Sequence, residues 1–158
     1  MSNFREIIKE FGTAAGIPGL ELDADGLCRI VIDGSTTIDF ELGDDEGTLL
    51  ITGHVLPSVE EAGPEVYASA MLLNMDVAQN KGSFLAYDGA EDEFILMRRL
   101  DNTAMRYGDF ETVLNEFVAH VDRCRETLSE DLPDDDEDDD DIDDTGAAPA
   151  SSDMVFRL

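Results

Sequence analysis

Phe4, Ile7, Ile8 and Phe11 follow the spacing i, i+3, i+4, i+7, which places them on one face of a helix. Ser2 or Asn3 can cap this helix, and Gly16 with Pro18 ends it, so a helix is predicted over 4–15. From Leu27 the period changes to two. Cys28, Ile30 and Ile32 alternate with Arg29, Val31 and Asp33, and Asp33-Gly34 supplies a tight turn. In the run Thr36 to Leu42, Ile38, Phe40 and Leu42 share one face, with Thr37, Asp39 and Glu41 opposite. An acidic, glycine-bounded loop at 43–47 leads to a third strand, Leu49–Leu56. Short connections of this kind predict an antiparallel meander.

Gly63-Pro64 announces a second helix, because proline is well tolerated at the first helical position. Residues 65–79 carry Val66, Tyr67, Ala70, Met71, Leu72, Leu73, Met75 and Val77, so the helix is apolar around much of its circumference. A helix on the surface of a core needs one apolar stripe; a second implies burial on all sides or a partner. Lys81-Gly82 closes it. Ser83–Tyr87 and Glu93–Leu100 read as two further strands joined at Asp88-Gly89, and Gly108-Asp109 opens a last helix. Its stripe comprises Phe110, Val113, Leu114, Phe117, Val118, Val121 and Leu128. The predicted order is α-β-β-β-α-β-β-α, an α+β fold in which helices pack a twisted, antiparallel five-stranded sheet.

The 158 residues suit one domain, and a hydrophobic content of 42% suffices for a core. Ten Lys plus Arg against thirty-eight Asp plus Glu give a net charge of −28. Residues 130–158 hold thirteen acids and one Arg, yet the body remains strongly negative without them. Such a surface repels nucleic acid and anionic lipid, so neither is expected as a partner. Residues 1–129 are expected to fold. Residues 130–153, with the near-continuous aspartates of 134–144, cannot bury enough apolar surface and are expected to be a disordered acidic tail. At 154–158 the alternation returns with Met154, Phe156 and Leu158.

No motif for catalysis or a cofactor is found. Cys28 and Cys124 stand alone, His54 and His120 lie 66 residues apart, and no HExxH, Walker A, GxGxxG or GxSxG pattern is present. Asp23-Ala-Asp25-Gly26 hints at a calcium loop, but alignment on Gly26 puts Ile32 where the bidentate glutamate must stand. A turn is the better reading. There is no signal-peptide pattern and no run of bilayer length, so a cytoplasmic location is expected.

Leu72-Leu73-Asn74, then Gly82 with the strand Ser83–Tyr87, then Phe94–Leu100 ending in Arg99-Leu100, then the amphipathic helix from Phe110 through Phe117, resemble the Tir-chaperone (CesT) family of class I type III secretion chaperones. The resemblance spans roughly residues 1–129 in element order. It implies a bacterial, non-enzymatic homodimer, joined mainly by the second helix and the strand after it. Val66, Tyr67, Ala70, Met71, Leu73, Asn74, Val77 and Phe84 are the corresponding interface candidates. It also implies apolar patches, from the first helix and the sheet, that hold the extended N-terminal segment of a secreted effector. Phe4, Ile8, Val31, Ile38 and Phe40 are the candidate contacts, although an apolar stripe more often serves the core. Components of the secretion apparatus are further expected partners. The rival reading is an acidic regulatory protein or nucleic-acid mimic on the same fold, and a small hydrolase is a weaker third.

The terminal peptide Met154, Phe156 and Leu158 is expected to occupy the client site when no client is bound, on a tether of about 25 residues spanning roughly 25–30 Å. Deleting residues 150–158 should then tighten client binding, measured by titration of a labelled client segment; unchanged affinity would exclude self-occupancy.

Overall fold

The computed structural model describes residues 4–57, 59, 62–101 and 105–132. The tail and terminal-peptide expectations lie outside these residues, apart from the stretch up to Leu132. The elements are α1 (Phe4–Ala14), β1 (Leu27–Ile32), β2 (Thr36–Leu42), β3 (Thr48–Pro57), α2 (Pro64–Met75), α3 (Val77–Asn80), β4 (Ser83–Asp88), β5 (Glu93–Asp101) and α4 (Tyr107–Glu130). The strands form one antiparallel sheet in the order β1-β2-β3-β5-β4, so the predicted α+β fold and five-stranded sheet are present.

Local chemistry places the breaks between elements. Asp33 (φ 52) and Gly34 (φ 71) are both left-handed and form the centre of a tight turn, closed by the Ser35 N–H donating to Ile32 O at 3.2 Å, within the three-residue connection from β1 to β2. The second helix is not continuous over 65–79. At Asp76 the backbone leaves the helical region, and its side chain caps the new turn by accepting from the Gln79 N–H, which separates α3 from α2. Arg106, rather than Gly108, caps α4, and its N–H donates to the Asp109 carboxylate at 3.2 Å.

All the helix packing falls on one side of the sheet. Phe110, Leu114, Phe117, Val121, Cys124 and Leu128 of α4 are buried, at spacings of four and three. They meet Ile38 and Phe40 of β2 and Leu49, Ile51 and Val55 of β3 in one core. Phe110 joins the layers, with its ring 6.0 Å from Phe11 of α1 and 6.1 Å from Phe40. Gly53 of β3 faces this contact: a methyl group there would collide with Val121 and press on Phe117. Glycine in a strand often marks such a close approach.

Of the Cys residues, Cys124 is buried and Cys28 half-buried, both as free thiols. Burial pushes the Cys124 thiol up to about 11, so it packs as a small apolar side chain. The Asp23 carboxylate accepts from the Asp25 and Leu27 N–H groups at 2.9 and 2.8 Å, which makes the suspected calcium loop a side-chain-capped turn.

Because Gly53 lets α4 sit close to β3, Gly53→Ala should cost about 1–3 kcal/mol by overpacking. Urea denaturation followed by circular dichroism should show the lower midpoint at an unchanged slope.

Candidate partner-binding surfaces

At one hundred degrees per residue, Val66, Ala70 and Leu73 share one side of α2, while Met71, Leu72 and Met75 take the other. The first group faces the core: Val66 and Ala70 are buried and Leu73 half-buried. The second group is in solvent, with Met71 69%, Leu72 65% and Met75 75% exposed, and Val77 of α3 at 77%. Val66 and Ala70 are therefore corrected from interface candidates to core residues, since the inner side of α2 is used within the subunit. Tyr67 is partly buried in a ring cluster with Tyr87 and Phe94, at 5.7 and 5.4 Å. Met71, Val77 and Phe84 remain on the surface, and Leu72 and Met75 join them. Those last two were missing from the sequence-based candidates, although helical spacing alone groups them with Met71.

Asn74 has a different task. Its Nδ2 donates to the Leu85 carbonyl at 3.0 Å, and its Oδ1 accepts the Leu85 N–H at 2.7 Å. The side-chain amide thus imitates a neighbouring strand and closes the centre of the β4 edge. At the opposite edge, Asp23 satisfies Leu27 in the same manner, its N–H donating to the Leu27 carbonyl at 2.9 Å. By strand alternation the next outward backbone groups belong to Arg29 and Val31, and among the described residues no backbone partner meets them.

The sheet face away from the helices is open. It floors a groove of about 1180 Å³, walled by the segment Gly19–Asp23 and containing Leu27, Leu50, Thr52, Ile95 and Met97. A polar cluster lies across its centre. Arg29 makes a bidentate pair with its cross-strand partner Asp39 at 2.6 and 2.7 Å. His54 lies between two carboxylates, with Nε2 3.0 Å from Asp39 and Nδ1 2.8 Å from Glu93. An imidazole with an acceptor at each nitrogen is fully satisfied only when both nitrogens carry protons. Burial opposes that charge, but the hydrogen bonds to Asp39 and Glu93, with their charges, hold the pKa above its ordinary value. Asp39 is likewise resisted by burial yet held below the usual carboxylate range by its hydrogen bonds to Arg29 and His54.

A β-bulge aims His54. The β3–β5 register shifts between His54 and Leu56, turning two successive carbonyls toward the helices. Arg125 of α4 donates to both, Nη2 to His54 O at 2.9 Å and Nε to Val55 O at 3.0 Å. The helix layer thereby holds the backbone that presents His54 on the far face.

The expected client contacts divide. Val31 is 48% exposed at the β1 edge, in keeping with an accessible contact. Phe4, Ile8, Ile38 and Phe40 are all at 0% and are corrected to core residues. Their side chains fill the space between α1, α4 and the inner sheet face, so nothing outside the subunit can reach them. The open face uses the alternate positions of the same strands, which are polar enough to tolerate water.

An open antiparallel sheet with helices on one side is a fold that solved type III secretion chaperones share. The Tir chaperone protein (CesT) family matches over residues 6–125, and the chain belongs to that family. Similar solved structures include that of the ExsC–ExsE complex, at a TM-score of 0.70 and 18% identity over 79% of this chain and 92% of the other. The HopA1–SchA chaperone–effector complex follows at 0.63 and 15%, covering 78% and 93%. The Yersinia pestis type III secretion chaperone SycH, in complex with a stable fragment of YscM2, gives 0.57 and 16%, covering 75% and 96%. A sequence search of curated proteins finds no significant match.

The two histidines should titrate on opposite sides of 6.5 by NMR, His54 above and His120 below, the latter lowered by burial and by the charges of Arg123 and Arg98. The sign for stability follows. Relative to His54→Gln, the wild type gains from the charged ring below pH 6.5 and loses that gain as pH rises through the raised His54 value. Melting temperatures of the two proteins should therefore converge on the alkaline side; a pH-independent difference would refute the charged-ring account.

Proposed function

We infer that this chain is a non-catalytic type III secretion chaperone of the bacterial cytoplasm, which holds the N-terminal segment of a secreted effector in extended form and keeps it soluble and competent for export. The observation that carries this reading is the apolar surface left uncovered on a body whose sequence matches the chaperone family from residue 6 to 125. Among the described residues no helix is long and apolar enough to cross a membrane, so these side chains are not explained by a spanning segment.

Two uncovered surfaces suit two kinds of partner. The outer side of α2 with Val77 and Phe84 suits a second copy of the chain, because self-complementary apolar patches form two-fold dimers. Tyr67, Leu73 and Asn74 would support it from the half-buried border. The β1 edge suits the client, because an extended peptide can add a strand where Arg29 and Val31 leave backbone groups unpaired. Its side chains would then lie over the open sheet face. The closed β4 centre directs strand addition to β1. The high negative charge counters aggregation of so much exposed apolar surface. Components of the secretion apparatus would meet the loaded complex.

Light scattering of the purified protein should give twice the 17.3 kDa chain mass, and Leu72→Asp with Met75→Asp should reduce it to a single chain. A pull-down from the native cell should recover the N-terminal region of a secreted protein, and Val31→Asp should weaken that recovery at least about tenfold. Recovery of a DNA-binding protein instead would favour the regulatory alternative.

A further inference from the structure

The open sheet face is apolar in its floor and acidic almost everywhere else. Seven carboxylates line the groove against Arg29 and His54. Arg29 and His54 are already engaged by Asp39 and Glu93, which leaves the other five carboxylates of the lining, Glu41 and Glu91 among them, without a salt bridge among the described residues. Any segment laid over the face strips water from these carboxylates, and desolvated charge is costly unless paired. A neutral or acidic segment would leave that cost uncompensated. Leu50 and Met97, half-buried on the same floor, still offer apolar contact, whereas Ile95 beside them is already buried.

We propose that this face docks a polypeptide segment in which arginine or lysine is interspersed with apolar residues, its cations pairing with the Asp39–Glu93 station and the acidic rim while its apolar side chains cover Leu50 and Met97. The proposal rests on the reading of the open face as the client surface, and adds the chemistry by which a client is selected. A guanidinium suits the station best, because it can take the Glu93 carboxylate bidentately. In doing so it competes with His54, which contacts both oxygens of Glu93 at 2.8 and 3.0 Å. The groups facing His54 are Arg29 from β1, Asp39 from β2 and Glu93 from β5, with Asp88 and Glu91 lining the same groove. An incoming cation raises the cost of a charged ring there, so binding should release a proton and strengthen as pH rises through the His54 titration.

The test uses fluorescence anisotropy of the full-length protein with synthetic peptides of alternating Leu-Arg and alternating Leu-Ser. Leu-Arg should bind about tenfold tighter or better, with a preference that falls as salt is added. Asp39→Asn with Glu93→Gln should reduce it to the Leu-Ser level. Glu41→Gln with Glu91→Gln, which breaks no salt bridge, should reduce it about threefold even if the first pair disturbs folding. Glu10→Gln with Glu126→Gln, exposed on α1 and α4, should leave it unchanged. Affinity for Leu-Arg should rise with pH in the wild type and stay flat in His54→Gln. Equal losses from groove and helix substitutions would reduce the effect to bulk charge and overturn the proposal. So would equal binding of the two peptides, which leaves the client-surface reading standing. If neither peptide binds and Val31→Asp leaves client recovery intact, the client-surface reading fails as well.

Discussion

The packing of α4 onto β2 and β3 is the contact on which the rest of the molecule depends. One helix supplies Phe110, Leu114, Phe117, Val121, Cys124 and Leu128 to the core, and Gly53 lets it approach the strand behind them. Burial of apolar area is the dominant favourable term in folding, and here it comes from one side of the sheet. α1 and α2 flank the same helix rather than covering the second face. A two-layer domain of this kind is stable, but it leaves half the sheet and one side of α2 in water. The surfaces proposed for partners follow from that shortage of cover.

The two faces of the sheet are nevertheless coupled. Arg125 reaches from α4 to the bulged carbonyls of His54 and Val55, so a helix residue in the packed layer orients a side chain on the open one. The bulge allows this because it turns two successive carbonyls the same way, which a regular strand cannot do. The polar cluster of Arg29, Asp39, His54 and Glu93 is therefore anchored in the core, although it lies in a groove that solvent can enter. Such anchoring favours recognition, because charged groups held in place lose less freedom when a ligand arrives.

Edges show the same economy of means. A side-chain amide, Asn74, occupies the centre of β4, and a carboxylate with its own backbone, Asp23, occupies the start of β1. Exposed strand edges invite uncontrolled pairing. With the centre of β4 and the start of β1 closed, pairing at the stretch around Arg29 and Val31 would be limited in length and register. An acidic body would make that stretch selective among the polypeptides it could meet.

Much of this was legible along the chain, because it rests on local periodicity. The stripe of α1, the period-two runs of β1 and β2, the Asp33-Gly34 hairpin, the over-apolar α2 and the family motifs around Leu72–Asn74 all depend on neighbours a few residues apart. The split of α2 at Asp76 was missed because apolar spacing runs on through Val77, while one side-chain cap ends the helix. What only the tertiary structure decided is which apolar positions the subunit uses for itself. Ile38 and Val31 both lie on strands with the same alternation, yet Ile38 is under α4 and Val31 is in solvent. The Asp39, His54 and Glu93 cluster was equally hidden, since its members are 15 and 39 residues apart. Periodicity determines the faces of an element, but which face is covered depends on the placement of the other elements. That placement is a property of the whole packed core and cannot be read from any one stretch of sequence.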